Sequence, residues 1–186
     1  MTELCAIALG SNLSSEIGDS QKIVQAAIAQ LANHPEIEVV KVSRWYRTKA
    51  ITLPNSAPQP DYINGCAILR TLLTPLQLLH ALFYVEQFFG RERRERWGAR
   101  TLDLDLLLYG DLQIDTPELV LPHPRMSDRA FVLLPLAEIA ADWIHPVKGQ
   151  TISELSQNPP DLDLSYPIAL DAKEIVLIWD WVYLLH

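Results

Sequence analysis

Apolar residues recur along this chain in the order strand-like, helical, strand-like, strand-like, helical, strand-like, and that order leaves few architectures open. "LCAIAL" (4–9) is a short buried-strand run. Ile23, Val24, Ala27, Ile28 and Leu31 then return at helical spacing, with Asp19 or Ser20 placed to cap the helix. "IEVVKVSRWYRT" (37–48) and "DYINGCAILRTLL" (61–73) read as strands, separated by a loop (48–60) that three prolines stiffen. A second helix opens at Thr74-Pro75, turns Leu78, Leu79, Leu82 and Val85 inward, and ends near Gly90. "TLDLDLLLY" (101–109) is the last strand of the series, with a hairpin expected through Gly110-Asp111. The stretch 121–140 reads as a loop, a short helical turn and a helix broken by Pro135. The βαββαβ order predicts an α+β fold, a ferredoxin-like two-layer sandwich whose mainly antiparallel sheet carries helices on one face.

With 186 residues, 49% of them apolar and 20% charged, the chain has core material for one domain. Its net charge of −8 argues against a nucleic-acid or anionic-membrane binder, so any anion site has to be local. Cys5 and Cys66 both fall in apolar strand-like runs, which points to buried thiols in a reducing compartment and away from a disulfide or a metal site. No basic-then-apolar leader opens the sequence, and "IVLIWDWVYLL" (175–185) is too short to span a bilayer. A cytoplasmic protein is expected.

The strand at 101–109 poses a problem, because aspartate is a poor strand former and two aspartates interrupt its leucines. Alternation puts Thr101, Asp103 and Asp105 on one face and Leu102, Leu104, Leu106 and Leu108 on the other, which is read as the core side. Two carboxylates about 7 Å apart on one face repel unless a cation lies between them. Mg²⁺ suits such a pair, since it takes few protein carboxylates and fills its octahedron with water and phosphate oxygens. An isolated Asp-x-Asp more often just lines the wet side of a sheet. Here, however, "GRERRERWGAR" (90–100) stands directly before it with Arg91, Arg93, Arg94, Arg96 and Arg100, half the arginines of an acidic chain. Guanidinium forks match phosphate oxygens, so the combination reads as a Mg-polyphosphate site.

A second set of polar residues suggests a flat ligand. Tyr62 and Asn64 share a strand face and offer a stacking ring beside an amide; alone, such a pair is usually ordinary sheet packing. His123, in "LPHPR", is a possible phosphate donor. Arg125 and Arg129 lie four apart on an expected helical turn.

"ALGSNL", "YRT", "DYINGC", "GRERRERWGARTLDLDLLLYG" and "LPHPRMSDRAFVLLPLAEI" together resemble the 2-amino-4-hydroxy-6-hydroxymethyldihydropteridine diphosphokinases, the pterin pyrophosphokinases of folate biosynthesis. The resemblance runs in order from about residue 5 to about residue 157, which sets a domain at 1–157 and an extension of unknown role at 158–186. It implies transfer of pyrophosphate from ATP to the hydroxymethyl oxygen of 6-hydroxymethyl-7,8-dihydropterin, with release of AMP. It further implies that Asp103 and Asp105 hold two Mg²⁺ ions, and that Arg91 and Arg93 close on the phosphates as catalytic residues. On the same grounds Glu86, Arg91, Arg93, Arg100, His123 and Arg129 belong to the ATP side. Thr48 and Asn64 would hydrogen-bond the pterin, Tyr62 and Phe131 would stack on it, and Trp97 would close over it. Gly10-Ser11-Asn12 is assigned a turn-shaping role near the site. ATP and the pterin are the only partners implied; a monomer is expected and a dimer left open.

Ala99 stands where the family commonly has proline, and Glu118 and Val120 stand where some members place an arginine and a hydroxyl near the nucleotide. Two other readings fit parts of the pattern. A nucleotidyltransferase also pairs a Gly-Ser turn with Asp-x-Asp, although there the two lie close in sequence; a non-catalytic binding domain would need neither the aspartates nor the arginine loop.

Overall fold

The computed structural model describes residues 2–50, 58–91, 99–157 and 168–169. Strand β1 (Glu3–Ser11) lies between β4 (Tyr62–Thr71) and β5 (Asp103–Tyr109), antiparallel to both. The far edge of β4 carries β2 (Ile37–Val42) and β3 (Tyr46–Thr48) in succession, also antiparallel. Helix α1 (Ser20–Ala32) connects β1 to β2 across β4, and α2 (Pro75–Phe88) connects β4 to β5 across β1. Two such split βαβ units interleaved are the ferredoxin-like arrangement the periodicities predict.

The helix starts follow local chemistry. Asp19 caps α1, its carboxylate accepting the Lys22 N–H at 2.9 Å. Thr74 opens α2 in a capping box: Gln77 Oε1 accepts the Thr74 N–H at 2.9 Å, Thr74 accepts from Gln77 N–H in return, and Pro75 occupies the first turn.

Both faces of the sheet are covered. On the first, α1 and α2 pack over Ile7, Leu9, Leu69, Leu102, Leu104 and Leu106. On the second, α3 (Ala130–Ala140) and α4 (Ile152–Gln157) cover Ala6, Cys66, Ile68, Leu107 and Leu108. The two-layer core expected from sequence thus acquires a third layer. Leu108 is a correction: Ile7 pairs with Leu106 and Ala6 with Leu108, so Leu107 is an extra residue in β5. That bulge resets the alternation, turning Leu107 and Leu108 to the second face and Tyr109 to the first.

Three further expectations change. The hairpin through Gly110-Asp111 does not form: Gly110 (φ 52°) makes a turn whose N–H donates to Leu4 O at 2.9 Å. The chain then runs into β6 (Ile114–Asp115), which pairs with β7 (Val120–Leu121) instead of returning along β5. Pro135 does not break its helix but lies buried inside a continuous α3, where packing on the second core outweighs one missing N–H. The strand expected over 37–48 is interrupted at 43–45. Ser43 N–H donates to Cys66 O and Ser43 Oγ accepts Cys66 N–H, both at 2.9 Å, while the Trp45 ring is buried in the first core over Gly65. A Cβ at Gly65 would lie 2.6 Å from Trp45 Cε3, so a side chain here and the Trp45 ring compete for one space.

Ile168–Ala169 forms a two-residue strand, β8, on the outer edge of β3. The apolar stretch at 175–185 lies outside the described residues, as does most of the 158–186 extension. Cys5 and Cys66 are buried free thiols, as expected; burial pushes the Cys5 thiol up to about 12 and the Cys66 thiol higher than its ordinary value. No helix among the described residues is long and apolar enough to cross a membrane.

Candidate active site

Sheet register assembles the site from distant parts of the chain. Gly10 on β1 pairs with Asp103 on one side and with Asn64 on the other, so Asp103, Gly10 and Asn64 form one row across three strands. Asp105, Ala8 and Cys66 form the next. Two strand spacings, about 10 Å, thus separate the carboxylates from the Asn64 amide. The residue between them is glycine: a Cβ at Gly10 would lie 2.8 Å from Asn64 Oδ1 and 3.7 Å from the Tyr62 ring. Gly10 and Ser11 belong to β1, so the turn-shaping role expected for Gly10-Ser11-Asn12 is corrected to a strand floor.

The two aspartates have different cationic neighbours. Arg91 Nη2 stands 2.8 Å from Asp103 Oδ1 and Arg100 Nη1 2.7 Å from Oδ2, which pairs each carboxylate oxygen with a guanidinium. Asp105 has looser company, with Arg129 Nη1 at 3.6 Å and His123 Nε2 at 3.8 Å from Oδ2. Burial, followed by the Asp103 charge, raises the Asp105 carboxyl above the usual range, against the pull of His123, Arg129 and Arg91. Burial likewise lowers the His123 imidazole, with Asp105 opposing. His123 arrives there because its N–H donates to Leu107 O at 2.9 Å, using the β5 edge beside the bulge.

Glu86 on α2 supports this group from below. It is 2% exposed; Oε1 accepts the Leu104 N–H at 2.7 Å and pairs with Arg91. Burial pushes its carboxyl up to about 7 although the Leu104 hydrogen bond and Arg91 pull it down.

Across Gly10, the Asn64 amide donates to Thr48 Oγ1 at 2.7 Å, and both residues are buried. Tyr62 pairs with Thr48 in the register and lies partly buried on the same face, its phenol raised by burial. Phe131, at the start of α3, packs against the second core with the Arg129 guanidinium 5.4 Å from its ring centroid. Arg129 therefore touches both the Asp105 side and the aromatic side. Helix α3 is tied to β3 by Glu138, which accepts from Tyr46 Oη, Arg44 N at 3.0 Å and Arg44 Nη2 at 2.6 Å. Burial raises the Glu138 carboxyl, but these bonds outweigh it and hold the group below its ordinary value.

Of the residues expected at the site, Thr48, Tyr62, Asn64, Glu86, Arg91, Arg100, Asp103, Asp105, His123, Arg129 and Phe131 lie on this face or directly behind it. Arg93 and Trp97 fall outside the described residues, with Arg94 and Arg96. Arg125 is the residue before a 3₁₀ turn (Met126–Asp128) and Arg129 the one after it, so they do not share an α-helical face. Asn12, to which the sequence pattern assigns no binding role, is buried and hydrogen-bonded on both sides of the site. A polar triplet closing an apolar strand was the available signal.

Residues 6–141 match the model of the 7,8-dihydro-6-hydroxymethylpterin-pyrophosphokinase family. The chain belongs to that family. It is 48% identical over 163 residues to the 2-amino-4-hydroxy-6-hydroxymethyldihydropteridine pyrophosphokinase of Synechocystis sp., covering 88% of this chain and 79% of the relative. The Haemophilus influenzae enzyme of the same name is 44% identical over 149 residues, 80% of this chain and 88% of the relative. Among solved structures, Plasmodium falciparum HPPK-DHPS matches with a TM-score of 0.64 at 15% identity over 84% of this chain. The present chain spans 44% of that longer protein, and the likeness concerns the fold.

Proposed function

We propose that this pyrophosphokinase transfers the β,γ-diphosphate of ATP to the hydroxymethyl oxygen of 6-hydroxymethyl-7,8-dihydropterin, a step of folate biosynthesis, and that the row Asp103–Gly10–Asn64 is where the two substrates meet. The activity is that of the family. The strand register supports the assignment of residues: a carboxylate pair and a buried amide face one way, with only a glycine between them.

The donor set fits Mg²⁺. Two oxygen ligands on one strand are too few for an all-protein cage and suit an ion completed by phosphate oxygens, and the Asp103 charge adds to burial in raising the Asp105 carboxyl, a repulsion that a bound cation would relieve. Two ions are proposed, as the family motif implies. Bound there, Mg²⁺ would neutralise phosphate oxygens and polarise the β-phosphorus.

The chain's own groups supply orientation and charge. Asp103 and Asp105 hold the metal side of the triphosphate. Arg91 and Arg100, paired with Asp103 in the free protein, are within reach of phosphate oxygens and exchange one anion for another. His123 and Arg129 flank Asp105 and face the same anion. Thr48 and Asn64 present a fixed donor–acceptor edge to the pterin, and Tyr62 and Phe131 present ring faces. Glu86 keeps Leu104 and Arg91 in place. Arg93 and Trp97 enter this proposal through the motif alone. Attack by the pterin hydroxymethyl oxygen forms a bond to the β-phosphorus and breaks the bridge to the α-phosphate, releasing AMP, with the hydroxyl proton passing to solvent; catalysis consists of alignment and charge neutralisation.

A monomer is the proposed working unit, and two buried free thiols suit a reducing cytoplasm. Incubation with Mg-ATP and the reduced pterin, followed by identification of both products, tests the reading. AMP and pterin diphosphate are expected. Pyrophosphate release would instead indicate nucleotidyl transfer, and pterin binding without turnover a non-catalytic module.

A further inference from the structure

Asn12 is the first residue after β1 and is 2% exposed, so its carboxamide has to find partners inside the protein. It finds them on two sides. Oδ1 accepts the Arg100 backbone N–H at 2.7 Å. Nδ2 donates to the Pro60 carbonyl at 3.2 Å and to Gln59 Oε1 at 3.4 Å. The backbone reinforces the first contact, because the N–H groups of Asn12 and Leu13 both donate to Arg100 O, at 3.0 and 3.1 Å. A single buried side chain thus joins the segment entering β4 to the segment entering β5.

Those segments lead to opposite halves of the site. Pro60 stands two residues before Tyr62, and Arg100 three before Asp103, to which its own guanidinium is bonded at 2.7 Å. The ladders do not need this tie. β1 pairs with β4 in continuous register from Glu3 to Ser11 and with β5, across the Leu107 bulge, from Cys5 to Gly10, and that pairing already sets the strand order and the facing of the paired side chains. What the ladders leave undetermined is the spacing of the chain beyond their ends, where the two half-sites overhang.

We infer that Asn12 is a positioning residue that couples the pterin half of the site to the nucleotide half by holding Gln59-Pro60 and Arg100 at a fixed separation. This rests on the reaction proposed above. Alignment of the attacking oxygen with phosphorus is where such a tie matters, since a misplacement of about 1 Å costs about 100-fold in rate. Neither substrate alone requires it. Each half keeps its own contacts, Thr48 and Asn64 on one side and Asp103 and Arg100 on the other. Asn12 therefore acts on the ternary complex more than on either binary one.

Asn12→Asp separates this role from a merely structural one, because it keeps an acceptor for Arg100 N–H and loses the donor to Pro60 O. The expected result is a single-turnover rate reduced by about 10- to 100-fold, KM values for ATP and pterin changed less than about threefold, and loss of the mutual tightening between a non-hydrolysable Mg-ATP analogue and the pterin in calorimetry. Asn12→Ala is expected to show the same pattern with a lower unfolding midpoint. A wild-type experiment needs no variant at all: pterin binding by itself is expected to slow hydrogen exchange at the Arg100 amide. A wild-type single-turnover rate in Asn12→Asp, losses confined to both KM values, or Arg100 exchange indifferent to pterin would each overturn the inference while AMP formation by the wild type keeps the proposed reaction standing. Absence of AMP formation in the wild type would instead remove the reaction itself.

Discussion

Glu86 offers the sharpest test of the electrostatics, because a carboxyl 2% exposed and pushed up to about 7 must leave a mark on stability. Below pH 4.5, its ordinary value, the group is protonated whether the chain is folded or not, and pH has no leverage through it. As pH rises from there to 7, the unfolded chain gives up this proton while the folded chain retains it, so the free energy of unfolding falls. Above pH 7 both states are ionised and the penalty levels off. The span of 4.5 to about 7, at about 1.4 kcal/mol per pH unit, amounts to about 3 kcal/mol. E86Q keeps an oxygen for the Leu104 N–H and carries no proton to lose, so its stability lacks this component. Denaturation of both proteins in urea at pH 4.5, 6 and 8 is the assay. Relative to E86Q, the wild type is expected to lose about 3 kcal/mol between the first and last, a relative midpoint shift of about 1 to 2 M at the m-values usual for small domains. Parallel profiles would refute the claim that burial governs Glu86, and would mean that Arg91 and the Leu104 N–H fully compensate its desolvation.

Asp103→Ala and Asp105→Ala are each expected to abolish Mg-dependent AMP formation with the far-ultraviolet circular dichroism unchanged; normal turnover at saturating Mg²⁺ would count against the metal assignment. Arg91→Ala is expected to act mainly on the chemical step, lowering the single-turnover rate more than it raises the KM for ATP, and an unchanged rate would contradict this. At Gly10, a Cβ meets Asn64 Oδ1 at 2.8 Å, so Gly10→Ala is expected to raise the pterin Kd about tenfold and leave Mg-nucleotide affinity nearly unchanged, as read by calorimetry. Gly65→Ala puts a methyl 2.6 Å from the Trp45 ring and is expected to destabilise the fold by about 1 to 3 kcal/mol, with a shift in tryptophan emission.

Much of the site is legible along the chain where its logic is local. The alternation of "TLDLDL" puts both carboxylates on one face without reference to any other segment, and Tyr62 and Asn64 share a face for the same reason. The alternation fails at Leu107, where pairing with β1 admits an extra residue and carries Leu108 across the sheet. Glycines 10 and 65 show the same limit. In sequence both look like turn or strand punctuation; in the fold one is the floor between two half-sites and the other the space for a tryptophan ring. His123 lies 18 positions after Asp105 and reaches it through a backbone bond on the β5 edge.

The βαββαβ order, the helix caps, the inward faces of both helices and the composition of a phosphate-seeking arginine loop beside paired aspartates were all determined by residues within a few positions of one another. Which carboxylate Arg91 and Arg100 neutralise, which amide faces which aspartate across Gly10, and how Asn12 ties two strand entries together were decided only by tertiary structure. The reason is one of range. Periodicity, capping and steric preference act within a turn or a pleat, whereas register is chosen between segments dozens of residues apart by the combined burial of two cores, and a one-residue change in that choice redirects every side chain beyond it.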